Sequence, residues 1–298
     1  MKRLLLLCIT IVLVVSLAAC GLGEPERQKK TTKKGQMKIG EMMQENKRHV
    51  WFLGVHTNTE EIDGNTKISR IIVTKNGKMK VYDLQNVTKS TMNDYAKMSD
   101  DEIIKNAKKE DKKRFNFVQN KLIHLTDGEI KEAKKYIKKG DDYEPAATME
   151  NDSVVYGYAY YQDDGKAKPE ESLKKLKKYK SDLESNKYQE PKSRKVDLNF
   201  AENDLSMTIA RQFKFPSSAV AHPPYADEDF SKLKVEQALQ PKSYNGKKYA
   251  GVGEDGDKEP EEKDFLILTT KVNDKVKNVL IDEKDDPAIK ANKPKEDN

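Results

Sequence analysis

The sequence predicts an α+β protein: a mainly antiparallel sheet built from hairpins, with several amphipathic helices, behind a cleaved signal and a flexible tether. Three observations carry that prediction. Short apolar and β-branched runs over residues 50–56, 68–74 and 79–84 have the composition of strands, and the pair Asn76-Gly77 joins two of them as a hairpin turn does. Apolar residues then recur at helical spacing over residues 99–127 and again over 169–185. The order strand, hairpin, helices, strand, helix, hairpin, hairpin lacks the regular alternation of a parallel βαβ sheet.

Taken in order, the chain opens with Lys2 and Arg3, an apolar run over residues 4–15, and then Ser16, Leu17, Ala18, Ala19 and Cys20. A charged start, an apolar middle and small residues before a cut site make an export signal. The run is shorter than the ~20 residues that a spanning helix needs. Leu17-Ala18-Ala19-Cys20 resembles the lipobox of bacterial lipoproteins, in which a peptidase cuts before a cysteine whose thiol already carries a diacylglyceryl group. The residues suit that chemistry. Small side chains at Ala18 and Ala19 let the backbone lie extended in a peptidase cleft, and a cysteine becomes a good nucleophile at mild pH. The resemblance implies a signal peptide over residues 1–19, cleavage between Ala19 and Cys20, and lipidation of Cys20. Membrane lipid is then the first partner, since each buried CH₂ contributes about 0.8 kcal/mol and two chains hold stably.

Residues 20–47 read as the lipidated N-terminus and tether, with Lys29, Lys30, Lys33 and Lys34 close enough to the membrane to meet anionic head groups. The α+β domain is expected over residues 48–282, beginning near His49, with Trp51 in the core of its first strand. Ser99-Asp100-Asp101-Glu102 fits a capping box. Behind it Ile104, Ala107, Phe115, Val118 and Leu122 form one stripe, on which Asp111 is the one polar residue. A second capping box, Thr126-Asp127-Gly128-Glu129, predicts a separate shorter helix that ends at Gly140.

A polar loop containing Pro145 follows, and the reading admits two halves meeting near residue 145. Residues 154–161 read as a strand. Leu173, Leu176, Tyr179 and Leu183 line the helix that Pro169 opens. A second hairpin is expected from alternation over residues 196–200 and 205–209. Residues 216–229, with three prolines, read as a loop, and residues 246–264 as glycine-rich and then acidic. Residues 265–270 are apolar on both faces, as in a central strand, and Asn273-Asp274 is expected to turn them back onto residues 276–281. Residues 283–298 read as a disordered charged tail.

Composition narrows function. Basic and acidic residues nearly balance, 56 against 50, which gives a mixed-sign surface and no nucleic-acid partner. The two cysteines are Cys8, inside the signal, and Cys20, so the exported part folds without a disulfide. No nucleophile elbow, phosphate loop or zinc-binding helix motif occurs, and the reading is non-enzymatic, with no cofactor and no metal. His49 and His56 would face opposite sides of one strand, which makes no metal site. Tyr156, Tyr158 and Tyr160 share a face of the predicted strand and form a candidate binding surface, set against packing beneath a helix.

Beyond the lipobox, the order of elements and Phe-Pro-Ser-Ser-Ala over residues 215–219 resemble surface lipoproteins of Gram-positive bacteria. That resemblance implies an extracytoplasmic domain, lipid-anchored on the outer face of the cell membrane, and assigns no catalytic residue. The expected role is contact with an envelope protein. The alternative is a ligand- or peptide-binding component of a transport system.

Overall fold

The computed structural model describes residues 34–56, 63–139, 148–150, 153–155, 169–201, 204–211, 213–216, 232–254 and 265–290. The described residues from Gly35 onward belong to one compact unit. That unit begins earlier than the sequence predicts: residues expected in the tether form β1 (Gln36–Lys38) and α1 (Ile39–Gln44). Met37, Ile39, Met42 and Met43 are buried. Their flexible side chains fill gaps that no periodic pattern announces.

The first hairpin is as predicted. β2 (His49–His56) pairs antiparallel with β3 (Lys67–Lys75), which pairs with β4 (Lys78–Asp83). Asn76 and Gly77 take φ of 52° and 65°, the left-handed pair that a two-residue turn requires. Trp51 is fully buried and donates from Nε1 to Thr74 Oγ1 at 2.8 Å. Then α2 (Met92–Ala96), with a Thr91–Asp94 capping box, leads into α3 (Asp100–Lys139).

α3 is a single helix of 40 residues where the sequence predicts two. Thr126 does not cap; its hydroxyl donates to Leu122 O, one turn back, at 2.7 Å. A side chain at Gly128 would meet nothing within 4 Å, so this glycine faces open space and breaks no packing. What carries the helix through is α4 (Pro169–Ser185), packed alongside. Val118 and Leu122 meet Tyr179 and Leu183, and Ile130 and Ala133 meet Leu176. Tertiary burial outweighs the local stop signal.

Between the two helices, β5 (Thr148–Glu150) and β6 (Ser153–Val155) form a small antiparallel pair. The remaining elements are β7 (Arg194–Lys195), β8 (Leu198–Ala201), β9 (Asp204–Thr208), β10 (Lys232–Val235), β11 (Gln237–Tyr244), β12 (Lys247–Gly253), β13 (Phe265–Val272), β14 (Asn278–Leu280) and α5 (Pro287–Lys290). The main sheet runs β11-β12-β13-β2-β3-β4-β7, with every neighbouring pair antiparallel. A three-stranded sheet, β10-β9-β8, contains the second predicted hairpin.

Two expectations fail at the C-terminal end. The hairpin predicted at Asn273-Asp274 does not form, because both edges of β13 are taken by β12 and β2; β14 pairs in parallel with β1 instead. The predicted charged tail contains α5, whose Ala288 and Ile289 are buried. Residues 291–298 lie outside the described residues.

Alternation along the strands gives the main sheet two apolar faces. Trp51, Leu53, Ile72 and Leu268 face the three-stranded sheet and α1, while Phe52, Ile71, Tyr82 and Ile267 face α2 and the start of α3. Close approach at the centre requires glycine: a Cβ on Gly251 would lie 1.9 Å from Leu268 O. No helix among the described residues is long and apolar enough to cross a membrane.

Candidate functional site

Asp111 sits on the buried face of α3, one turn from Ala107 and one turn from Phe115. It is fully buried, and a buried carboxylate needs partners. The fold supplies four donors from three segments. The Asp83 backbone N–H, at the end of β4, donates to Oδ1 at 2.8 Å. Tyr188 OH donates to Oδ2 at 2.8 Å. Arg211 donates from Nε to Oδ1 and from Nη2 to Oδ2, each at 3.2 Å, the two-pronged geometry in which a guanidinium binds a carboxylate best.

The same groups bind each other and their neighbours. Arg211 Nη2 also donates to Gln189 O at 2.7 Å, and its guanidinium lies 4.5 Å over the Phe213 ring. Burial and the hydrogen bond to Asp111 hold the Tyr188 hydroxyl well above the usual tyrosine range. Asp83 is itself buried, with Arg114 Nε 3.7 Å from its Oδ2. Burial pushes the Asp83 carboxyl up, and the charges of Arg70 and Arg114 oppose that rise. Asp111 therefore ties the coil after α4 and the coil after β9 to one face of α3. Its oxygens are engaged on every side, so it works as an anchor.

Those two coils enclose a cavity of about 490 Å³. Val81, Phe115, Pro191 and Phe213 give it an apolar wall, and Phe115 is fixed by stacking on Phe215 at 5.0 Å. Its charged lining is Arg194 and Arg211 with the exposed Lys187, Glu190, Lys192 and Lys214. Arg194 is half-buried; its Nη2 donates to Thr208 O and Ala210 O, each at 3.0 Å, and burial lowers its pKa.

The residues singled out by sequence lie elsewhere. Leu17, Ala18, Ala19 and Cys20 fall outside the described residues, as do Tyr156, Tyr158 and Tyr160. His49 is buried beside Trp51 and hydrogen-bonded to Glu45 at 3.0 Å, with burial lowering its pKa. Among the described residues, no three His, Cys, Asp or Glu side chains converge to hold a metal ion. Sequence reasoning marks Asp111 as the polar residue on an apolar stripe and misses Arg211, Tyr188 and Arg194. A buried carboxylate implies a cation, but nothing local says which of 56 basic residues supplies it.

Comparison of the chain with protein-family models, with curated proteins and with solved structures finds no match in any of the three.

Proposed function

We propose that the protein is a surface lipoprotein, held at the outer face of the cell membrane by acyl chains on Cys20, whose folded body acts by binding in the envelope rather than by catalysis. One observation carries the reading: Lys2 and Arg3, the apolar run over residues 4–15 and Leu17-Ala18-Ala19-Cys20 stand in the order that export and lipidation require. The folded body adds support of its own kind. Its most prominent buried carboxylate, Asp111, is engaged by Arg211, Tyr188 and the Asp83 N–H, which suits an anchor better than a base.

The test is detergent-phase partitioning together with the N-terminal mass of the expressed protein, wild type beside Cys20→Ser. The expected result is a wild type that enters the detergent phase and begins at a diacylated Cys20, with a variant that does neither. Wild type that stays in water, or that keeps residues 1–19, overturns the reading.

A second reading, capture of a small ligand, is favoured by the cavity. Its volume of about 490 Å³ lies within the roughly 300–1,000 Å³ of small-ligand sites. The wholly antiparallel main sheet differs from the doubly wound lobes usual in transport receptors, so the cavity supports ligand binding without supporting transport.

A further inference from the structure

The charges around the cavity do not balance. Arg211 is neutralised by Asp111, and Glu190 is met by Lys108 at 3.2 Å. That leaves Arg194, Lys187, Lys192 and Lys214, none of which pairs with a carboxylate among the described residues. The site is thus cationic on a protein whose charges otherwise nearly cancel. Arg194 matters most: the charge of Asp197 acts on it without forming an ion pair, and a half-buried cation lies where desolvation is costly and an added anion would interact strongly. It is also held in place. Two carbonyl oxygens, Thr208 O and Ala210 O, fix one end of the guanidinium. Nη2 is thereby spent, and Nε and Nη1, which have no partner among the described residues, are left to donate single charge-assisted hydrogen bonds to an anion.

The rest of the lining says what the anion is attached to. Val81, Phe115, Pro191 and Phe213 offer apolar area that inorganic phosphate could not use. A concave site of this volume suits a small molecule rather than a polymer. Resting on the ligand-binding reading above, we infer that the cavity receives a small ligand carrying a carboxylate or phosphate on an apolar body, with the anion on Arg194 and the body against Phe115 and Phe213. Lys187, Lys192 and Lys214 would raise the local anion concentration without fixing geometry.

The test uses the full chain in phosphatidylcholine nanodiscs and calorimetric titration with phenyl phosphate, phenylacetate, benzyl alcohol and inorganic phosphate. One of the aromatic anions is expected to bind at least tenfold tighter than benzyl alcohol and tenfold tighter than inorganic phosphate, with the advantage shrinking as salt is raised. Arg194→Gln should remove at least tenfold of that affinity. Because Arg194 also braces two backbone carbonyls, the combined variant Lys187→Gln, Lys192→Gln, Lys214→Gln gives an independent measure on exposed positions, with a several-fold loss expected. Equal affinity for the alcohol and the anions, unchanged in the variants, overturns the anion assignment and leaves the ligand-binding reading standing. No binding of any aromatic probe at millimolar concentration overturns both.

Discussion

Asp111 and Asp282 are both buried carboxylates, and the fold treats them in opposite ways. Asp111 faces the Arg211 guanidinium, the Tyr188 hydroxyl and a backbone N–H. Asp282 has one hydrogen bond, from Gly40 N to its Oδ2 at 2.8 Å, and its Oδ1 is buried without a partner. A cation is near, but Lys38 is committed to Asp286 at 2.6 Å. Burial, with the charge of Asp286 adding to it, pushes the Asp282 carboxyl up to about 6. Depth alone does not decide how a buried acid is satisfied; the placement of its hydrogen-bond donors does.

The largest expected effect breaks the paired case. Asp111→Ala leaves Arg211 buried without its counter-ion and removes the partner of Tyr188 and of the Asp83 N–H. A loss of about 3–5 kcal/mol is expected from removing one member of a buried pair, measured by urea unfolding. Asp111→Asn keeps an acceptor in place and should lose less. A loss under about 1 kcal/mol for the alanine variant would mean that the two coils are held by something other than this carboxylate.

The next effect has the opposite sign. The ordinary value for an aspartate is 3.8 and the folded value of Asp282 is about 6. Between those pH values the unfolded chain has released its proton and the folded chain has kept it, so this group makes stability fall as pH rises through the window and levels off above it. Two units correspond to roughly 3 kcal/mol. Asp282→Asn should therefore match the parent near pH 4 and exceed it at pH 7 by about 1–3 kcal/mol, in unfolding curves taken across that range. A variant less stable than the parent at pH 7 would show that the charged carboxylate is needed where it lies.

How far the sequence reveals this contrast depends on the range of each signal. The hairpin at Asn76-Gly77 is legible because its turn needs two residues at positive φ and its strands are apolar. Asn245-Gly246, at φ 51° and 72°, is the same turn between β11 and β12 and escapes notice. The run Gln-Ala-Leu-Gln-Pro-Lys-Ser-Tyr of β11 is a polar edge strand whose register shifts between Leu239 and Lys242, so no alternation survives. The β1–β14 pairing joins strands some 240 residues apart, with no local mark on either. Asp111 is legible because one polar residue interrupts a helical stripe. Arg211, 100 residues away in a coil, carries no periodicity at all. Asp282 is hidden for a related reason: it is the last residue of the predicted domain, next to acidic residues that read as a solvated tail, and Ala288 and Ile289, buried in α5, show that the fold continues past it.

The smallest expected effect places the comparison at the protein surface. Lys180 meets Asp127 at 2.7 Å, and thereby links α4 to α3 with a geometry as good as any at Asp111. The Asp127 hydrogen bond even raises the lysine's pKa. Yet both side chains keep substantial access to water, where screening and the ordering of long side chains cancel most of the attraction. Lys180→Gln is expected to leave the urea midpoint unchanged within error. Leu176 and Leu183, both fully buried, hold the same two helices together without it. A clear loss that disappears in high salt would mean the helix pair depends on surface charge. No loss at any salt would show that a short bond is not enough, since Lys180 meets Asp127 at 2.7 Å, closer than the 3.2 Å of Arg211 to Asp111, but does so in reach of water.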